Sequence, residues 1–258
     1  MTEDFLIFLA VGFLAQLVDG ALGMAYGVVS STTLLAFGVP PAHASASVHA
    51  AEIFTTAASG SSHVWHRNID WKLVRQLAPA GILGGILGAY FLTGIDGETI
   101  KPFVTAYLGL VGVIILFKGF RSFPTKPVSG AIAMPLGLAG GFADAVGGGG
   151  WGPVVTSSLI GSGGSPRLVI GSVSAVEFLV TVSVSLSFLV ALLTGHWEDA
   201  GDLTEHMAAV GGLIVGGVAA APFAGYMVRT VPTRPLTVLV GVLIICLATY
   251  QAWQTYTA

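Results

Sequence analysis

Ten apolar stretches fill this chain, and the connections between them are short. They run 5–18, 27–38, 41–62, 73–93, 102–118, 130–143, 153–162, 167–194, 204–228 and 235–254. Only 9% of the 258 residues are charged and 54% are hydrophobic, whereas a soluble domain carries about 25% charged residues. So little charge cannot cover a surface that faces water. The chain therefore reads as an integral membrane protein whose solvent is the lipid bilayer. A net charge of −3, spread over connections, offers no footprint for nucleic acid. The single cysteine, Cys246, excludes an internal disulfide. The start, Met1-Thr2-Glu3-Asp4, is acidic, and no small-residue cleavage site follows the first apolar stretch. The N-terminus is therefore expected to be retained.

The ten stretches are five repeated once. At an offset of 125, Gly12 matches Gly137, Asp19 Asp144, Gly23 Gly148, Gly27 Gly152, Gly38 Gly163, Pro41 Pro166, Glu52 Glu177 and Thr56 Thr181. In all, 13 of the 52 positions from Gly12 to His63 are identical without a gap. Alanine, glycine and valine match by chance in such chains, but two carboxylates and a proline do not. A duplication is the better account, with repeat one at 1–119, a cytoplasmic linker at 120–129 and repeat two at 130–258.

Loop charge orients the halves, because Lys and Arg collect on the cytoplasmic side. Arg67, Lys72 and Arg75 place the first such connection inside, as do Lys118, Arg121 and Lys126 for the linker and Arg229 and Arg234 near the end. Asp96 and Glu98, and later Glu198, Asp199, Asp202 and Glu205, mark outside connections. Both termini then lie outside, and equivalent loops fall on opposite sides. An inverted pair of repeats is a common plan of secondary transporters.

Segment length refines this plan. A span needs about 20 residues, yet 5–18 has 14 and 27–38 has 12. The pairs 5–18/27–38 and 130–143/153–162 are expected to be re-entrant helical hairpins, each joined by about three transmembrane helices. Their glycine-rich tips would sit where protein or a water-filled cavity surrounds them.

Those tips carry the candidate chemistry. The second helix of each pair is expected to start near Tyr26-Gly27 and Trp151-Gly152, where free N–H groups attract anions. Hydroxyls follow at Ser30, Ser31, Thr32 and Thr33, and at Thr156, Ser157 and Ser158. Together they offer a small anion a site without a buried Lys or Arg; close helix packing is the competing role for the glycines. Asp19 and Asp144 at the tips suit either capping of backbone N–H groups or gating. Glu52 and Glu177 stand mid-segment, where an ionisable residue marks an ion or proton pathway. Proton coupling, a structural hydrogen bond and cation ligation all fit them. His49 lies one turn before Glu52, but its repeat mate is Ser174, so no symmetric metal site results. His63, His66, His196 and His206 are expected in solvent. Trp65, Trp71, Trp197 and Trp253 are expected in an interfacial belt.

These residues resemble the TauE/SafE-type sulfite exporter family, most closely in Asp144–Pro153, Asp-Ala-Val-Gly-Gly-Gly-Gly-Trp-Gly-Pro. The first copy departs from that pattern with Leu22, Met24, Ala25 and Val28 in place of Gly147, Gly149, Gly150 and Pro153. The resemblance implies a carrier of sulfur-containing oxyanions, sulfite or organosulfonates, across a bacterial cytoplasmic membrane, and neither an enzyme nor a cofactor-binding protein. Two other readings of the residues themselves stand beside it. One is a cation or metal-ion transporter built on the intramembrane carboxylates. The other is a membrane-embedded metalloenzyme using His43, His49 and Glu52.

Overall fold

Helix is the only regular structure in which a chain segment satisfies its own backbone within lipid, short of a closed barrel. The computed structural model describes residues 2–120, 130–198, 200 and 207–257, and among them every element is helical. The first half contains α1 (Thr2–Leu22), α2 (Tyr26–Ala36), α3 (Pro41–Trp65), α4 (Trp71–Thr93) and α5 (Gly97–Gly119). The second contains α6 (Gly130–Gly147), a π-helical turn (Gly152–Thr156) leading into α7 (Ser157–Gly161), and α8 (Pro166–Leu193). It continues with α9 (Met207–Ala220), α10 (Ala224–Thr230) and α11 (Thr233–Thr257). The linker residues 121–129, together with Asp199, Asp202, Glu205 and His206, lie outside the described residues.

Six helices among the described residues are long and apolar enough to cross a membrane. They outline a multi-pass membrane protein, and its outer surface carries exposed Leu83, Leu87, Phe103, Phe117, Leu186 and Leu239. One of the six is Phe5–Leu22, 18 residues long, about 27 Å at 1.5 Å per residue. The expected 14-residue segment was too short because Asp19 and Gly20 do not end the helix; they lie in its last turns. The expected segment 204–228 corresponds to another of the six, Met207–Thr230, which a 3₁₀ turn at Ala221–Phe223 interrupts. Pro222 brings no N–H to a helical ladder, which favours a break there.

The central helix is α3. With 25 residues it is long enough to span, but Ser45, His49, Glu52, Thr55, Thr56 and Ser59 are buried along it. Such a polar helix must be enclosed by others, and α3 packs on α8, α9 and α2. Around it α4 packs on α6, α1 on α9, and α5 on α11. Each of these pairings has its counterpart when the halves are exchanged. The α2–α3 and α7–α8 joints also match. Val39 N donates to the Leu34 carbonyl and Gly164 N to the Leu159 carbonyl, closing the two helices in the same way. Pro41 and Pro166 then start the long helices at the position proline prefers.

Two expectations about the helix ends need correction. His63 is fully buried, because α3 runs on to Trp65 and keeps His63 on its inner face. There Asn68 Nδ2 lies 3.2 Å from His63 Nδ1. Trp197 is only 5% exposed and stacks edge-on with His43 at 4.9 Å, whereas Trp65, Trp71 and Trp253 are exposed at helix ends.

Candidate functional site

Each half breaks its helix in the same way. After α1, Gly23 adopts φ +63°, and after α6, Gly148 adopts φ +65°. These left-handed positions suit glycine and end a helix cleanly. Gly23 N donates to the Asp19 carbonyl at 2.6 Å and Gly148 N to the Asp144 carbonyl at 2.6 Å. The aspartate side chains then reach across the breaks. Asp19 Oδ1 accepts from Ala25 N at 2.8 Å and Tyr26 N at 3.3 Å. Asp144 Oδ1 accepts from Gly150 N at 2.8 Å and Trp151 N at 2.9 Å. The amides expected to greet an anion are therefore partly taken by the protein's own carboxylates, which supply the negative charge a helix N-terminus favours.

The two breaks lie directly against each other. A Cβ added to Gly27 would sit 2.9 Å from Gly149 Cα and 3.0 Å from the Gly148 carbonyl oxygen. A Cβ on Gly152 would run into Met24. Hydroxyls stitch the contact from both sides. Ser31 donates to the Gly147 carbonyl at 2.6 Å, and its repeat mate Thr156 to the Gly23 carbonyl at 2.9 Å. Ser45 adds a bond to the Ala145 carbonyl at 2.6 Å. Each helix that follows a break is thus tied to the end of the helix that precedes the other.

Four acidic side chains and a histidine converge here, all buried: Asp19, Glu52, His49, Asp144 and Glu177. His49 Nε2 lies 3.3 Å from Asp144 Oδ2. Glu52 Oε1 stands 2.8 Å from the position of a Cβ on Gly27, and Glu52 Oε2 has no hydrogen-bond partner. The Thr181 hydroxyl on α8 faces Glu52 without completing a hydrogen bond. Glu177 lies within electrostatic reach of Asp19, Glu52 and Asp144.

A buried acidic cluster between two glycine breaks, inside a bundle with an apolar exterior, is costly to build and characteristic of intramembrane transport pathways. The family profile described as Sulfite exporter TauE/SafE matches residues 8–251. The chain belongs to the sulfite exporter TauE/SafE family. It is also 44% identical over 250 residues to the probable membrane transporter protein YtnM of Bacillus subtilis (strain 168), across 94% of this chain and 81% of that protein. No solved structure matches it.

In this TauE/SafE protein the remaining hydroxyls divide sharply. Thr32 and Thr33 bond back to the Val28 and Val29 carbonyls at 2.5 and 2.7 Å. Ser157 points at Met24 Sδ, 3.6 Å away. The Ser30 hydroxyl alone among the expected ligands is buried without a partner. Tyr26 and Trp151, repeat mates, fill space against glycines of α9 and α4. A Cβ on Gly217 would lie 2.9 Å from the Tyr26 ring, and one on Gly81 2.6 Å from the Trp151 ring. Tyr26 also donates to the Leu213 carbonyl at 2.9 Å and Trp151 Nε1 to Val173 at 3.2 Å. His43 does not join His49 and Glu52; its Nε2 lies 2.6 Å from the Ala200 carbonyl oxygen, and Asp144 takes the third place.

Sequence reasoning passed over Ser45, Tyr107 and Thr181. Tyr107 lies against the second break, its hydroxyl 2.5 Å from where a Gly150 Cβ would be. A tyrosine inside the apolar segment 102–118 was the available signal, and a weak one. Thr181 was visible as the repeat mate of Thr56, whose hydroxyl donates to the Glu52 carbonyl.

Proposed function

We propose that the chain is a secondary transporter that moves a small sulfur-containing oxyanion, sulfite or an organosulfonate, across a bacterial cytoplasmic membrane by alternating access. The observation that carries this reading is the meeting of the two glycine breaks, one from each half, at a buried polar cluster within a TauE/SafE-family fold. Inverted repeats, 1–119 and 130–258, would place the breaks near the bilayer midplane, and both termini outside. The exchange symmetry of the helix pairings supports the duplication. Tyr26–Ala36 has 11 residues and Gly152–Gly161 has 10, about 15–17 Å of helix, about half of a span. That supports a second arm in each pair that does not cross, as a re-entrant hairpin requires, although α1 is long enough to cross by itself.

The anion is held, in this reading, by Ser30, Ser31, Thr156, Ser157 and the backbone at Tyr26–Gly27 and Trp151–Gly152. Asp19 and Asp144 hold the breaks in shape. The interlocked breaks represent the closed arrangement, and parting them frees Ser31 and Thr156 for the ligand. An anion beside four carboxyl groups requires protons on some of them. Glu52 and Glu177 are placed to carry those protons, with His49 beside Glu52 as a gating residue.

The test is flux into proteoliposomes with a panel of sulfite, sulfate, thiosulfate, sulfoacetate and taurine, and with monovalent cations for contrast. Sulfite or sulfonate flux that falls at least tenfold in Ser31→Ala combined with Thr156→Ala is the expected result. Flux of a cation with none of any sulfur oxyanion refutes the reading. Glu177→Gln is expected to remove the pH dependence of flux; an unchanged pH profile rules out its proton role.

A further inference from the structure

On α3, His49 and Glu52 stand one turn apart, and Asp144 reaches them from α6 in the other half of the chain. The three are buried, and one potential ligand atom from each lies within 4.8 Å of the other two. His49 is oriented through one ring nitrogen and faces a carboxylate with the other. His49 Nδ1 is 2.8 Å from the Ser45 carbonyl oxygen, which can only accept, so Nδ1 carries a hydrogen and donates it. Nε2 then faces Asp144 Oδ2 at 3.3 Å. A proton on Nε2 makes this contact an ion pair, and a metal ion in place of that proton would bind the same two atoms.

Two further observations bear on the same trio. Glu52 Oε2 is enclosed and has no hydrogen-bond partner, and Glu52 as a whole is 2% exposed. An unpartnered carboxylate oxygen is a costly thing to bury. Asp144, meanwhile, uses Oδ1 for the N–H groups of Gly150 and Trp151. Its carboxylate is therefore fixed, with Oδ2 directed at the histidine.

We propose that His49 Nε2, Glu52 Oε2 and Asp144 Oδ2 bind a single divalent cation of borderline character, with zinc the best fit. One imidazole and two carboxylates are a zinc donor set. The bond from the far ring nitrogen to a backbone carbonyl is the outer contact that orients a metal-binding histidine. Tetrahedral ligands at about 2.1 Å from zinc stand about 3.4 Å apart, so the His49–Asp144 spacing already fits and Glu52 has only to close in. A fourth position stays open for water. Two carboxylates and a divalent ion are neutral together, as a bilayer interior demands. Magnesium is disfavoured, since it prefers six oxygens and retains its water. Glu177 and Asp19 flank the site without entering the trio. A cation held here ties α3 to α6, so it acts as a lock between the halves and not as cargo. The inference stands whichever ion is transported; with the cation bound, Glu52 is a ligand and proton carriage falls to Glu177.

Isothermal titration of the purified full chain in detergent with zinc chloride tests it, alongside Glu52→Gln, His49→Gln and, as a control, Glu177→Gln. Expected are one zinc per chain, affinity at least about tenfold weaker in the first two variants, an unchanged affinity in the third, and no binding of magnesium. Zinc X-ray absorption of the unmodified chain gives a reading that needs no variant: one histidine nitrogen among oxygen neighbours is expected. Absence of zinc binding, affinity undiminished in both trio variants, or a shell with two or more histidines overturns the proposal.

Discussion

Replacing Gly149 with alanine probes the contact on which the whole site depends. The added Cβ would lie 2.5 Å from both the Gly27 carbonyl carbon and Val28 Cα, and ordinary contact for such a pair begins at 3.4 Å. Everything it meets is backbone, so no side chain can swing aside. The two breaks would have to part by about 1 Å, in an interior packed as tightly as a crystal. Overpacking of this kind costs about 1–3 kcal/mol. The same displacement stretches the Ser31–Gly147 bond, now 2.6 Å, beyond useful length, which adds about 0.5–1.5 kcal/mol. The expected destabilisation is about 2–4 kcal/mol, measured by unfolding in mixed micelles of increasing SDS content. Gly27→Ala pushes into the same gap from the other side, against Gly149 Cα at 2.9 Å. The double variant should therefore cost less than the sum of the two singles. Gly161→Ala is the control, since a Cβ there meets open space; it should stay within about 0.5 kcal/mol of the parent. A Gly149→Ala protein as stable as Gly161→Ala would refute direct contact between the breaks.

Two more substitutions test the surroundings of the site. Trp151→Ala removes a fully buried ring seated against Gly81 of α4, and should cost about 3–5 kcal/mol in the same unfolding assay; a cost below 1 kcal/mol, of the order of a surface change, would contradict the packing. Asn68 is fully buried, donates to the Gly225 carbonyl at 3.2 Å and accepts from Arg229 Nε and Nη2 at 3.2 and 3.1 Å. Asn68→Ala leaves several of these groups unsatisfied, for about 2–4 kcal/mol, and Asn68→Asp, which keeps the acceptor for Arg229, should lose less by thermal melting.

Much of the site could be read from the chain because much of it is local. Asp19 and Asp144 bond to amides six and seven residues ahead, inside one short motif. The left-handed turns at Gly23 and Gly148 follow from glycine itself. The repeat offset also paired Ser31 with Thr156 before their bonds were known. What could not be read were the conditions at helix ends. Asp19 looked like a terminator and proved to be inside α1, since a carboxylate three residues from a helix end is readily held when it caps the next helix. His63 looked solvated because the expected segment stopped one residue short of it.

By itself the sequence determined the class and pointed to the internal plan. Charge too sparse for a water-facing surface requires a membrane, and a gapless match over 52 positions at an offset of 125 points to two related halves. Tertiary structure alone decided which half meets which and where. Ser31 reaches a carbonyl 116 residues away and His49 a carboxylate 95 residues away. No spacing rule covers such pairs. Helix periodicity specifies which face a residue occupies, but the partner of that face depends on how whole helices cross. Here the crossing is set by small residues that let backbones touch, at Gly27 and Gly149 above all. The 125-residue offset foretold matching breaks; only their packing brought together the asymmetric trio of His49, Glu52 and Asp144, to which one half contributes two side chains and the other one.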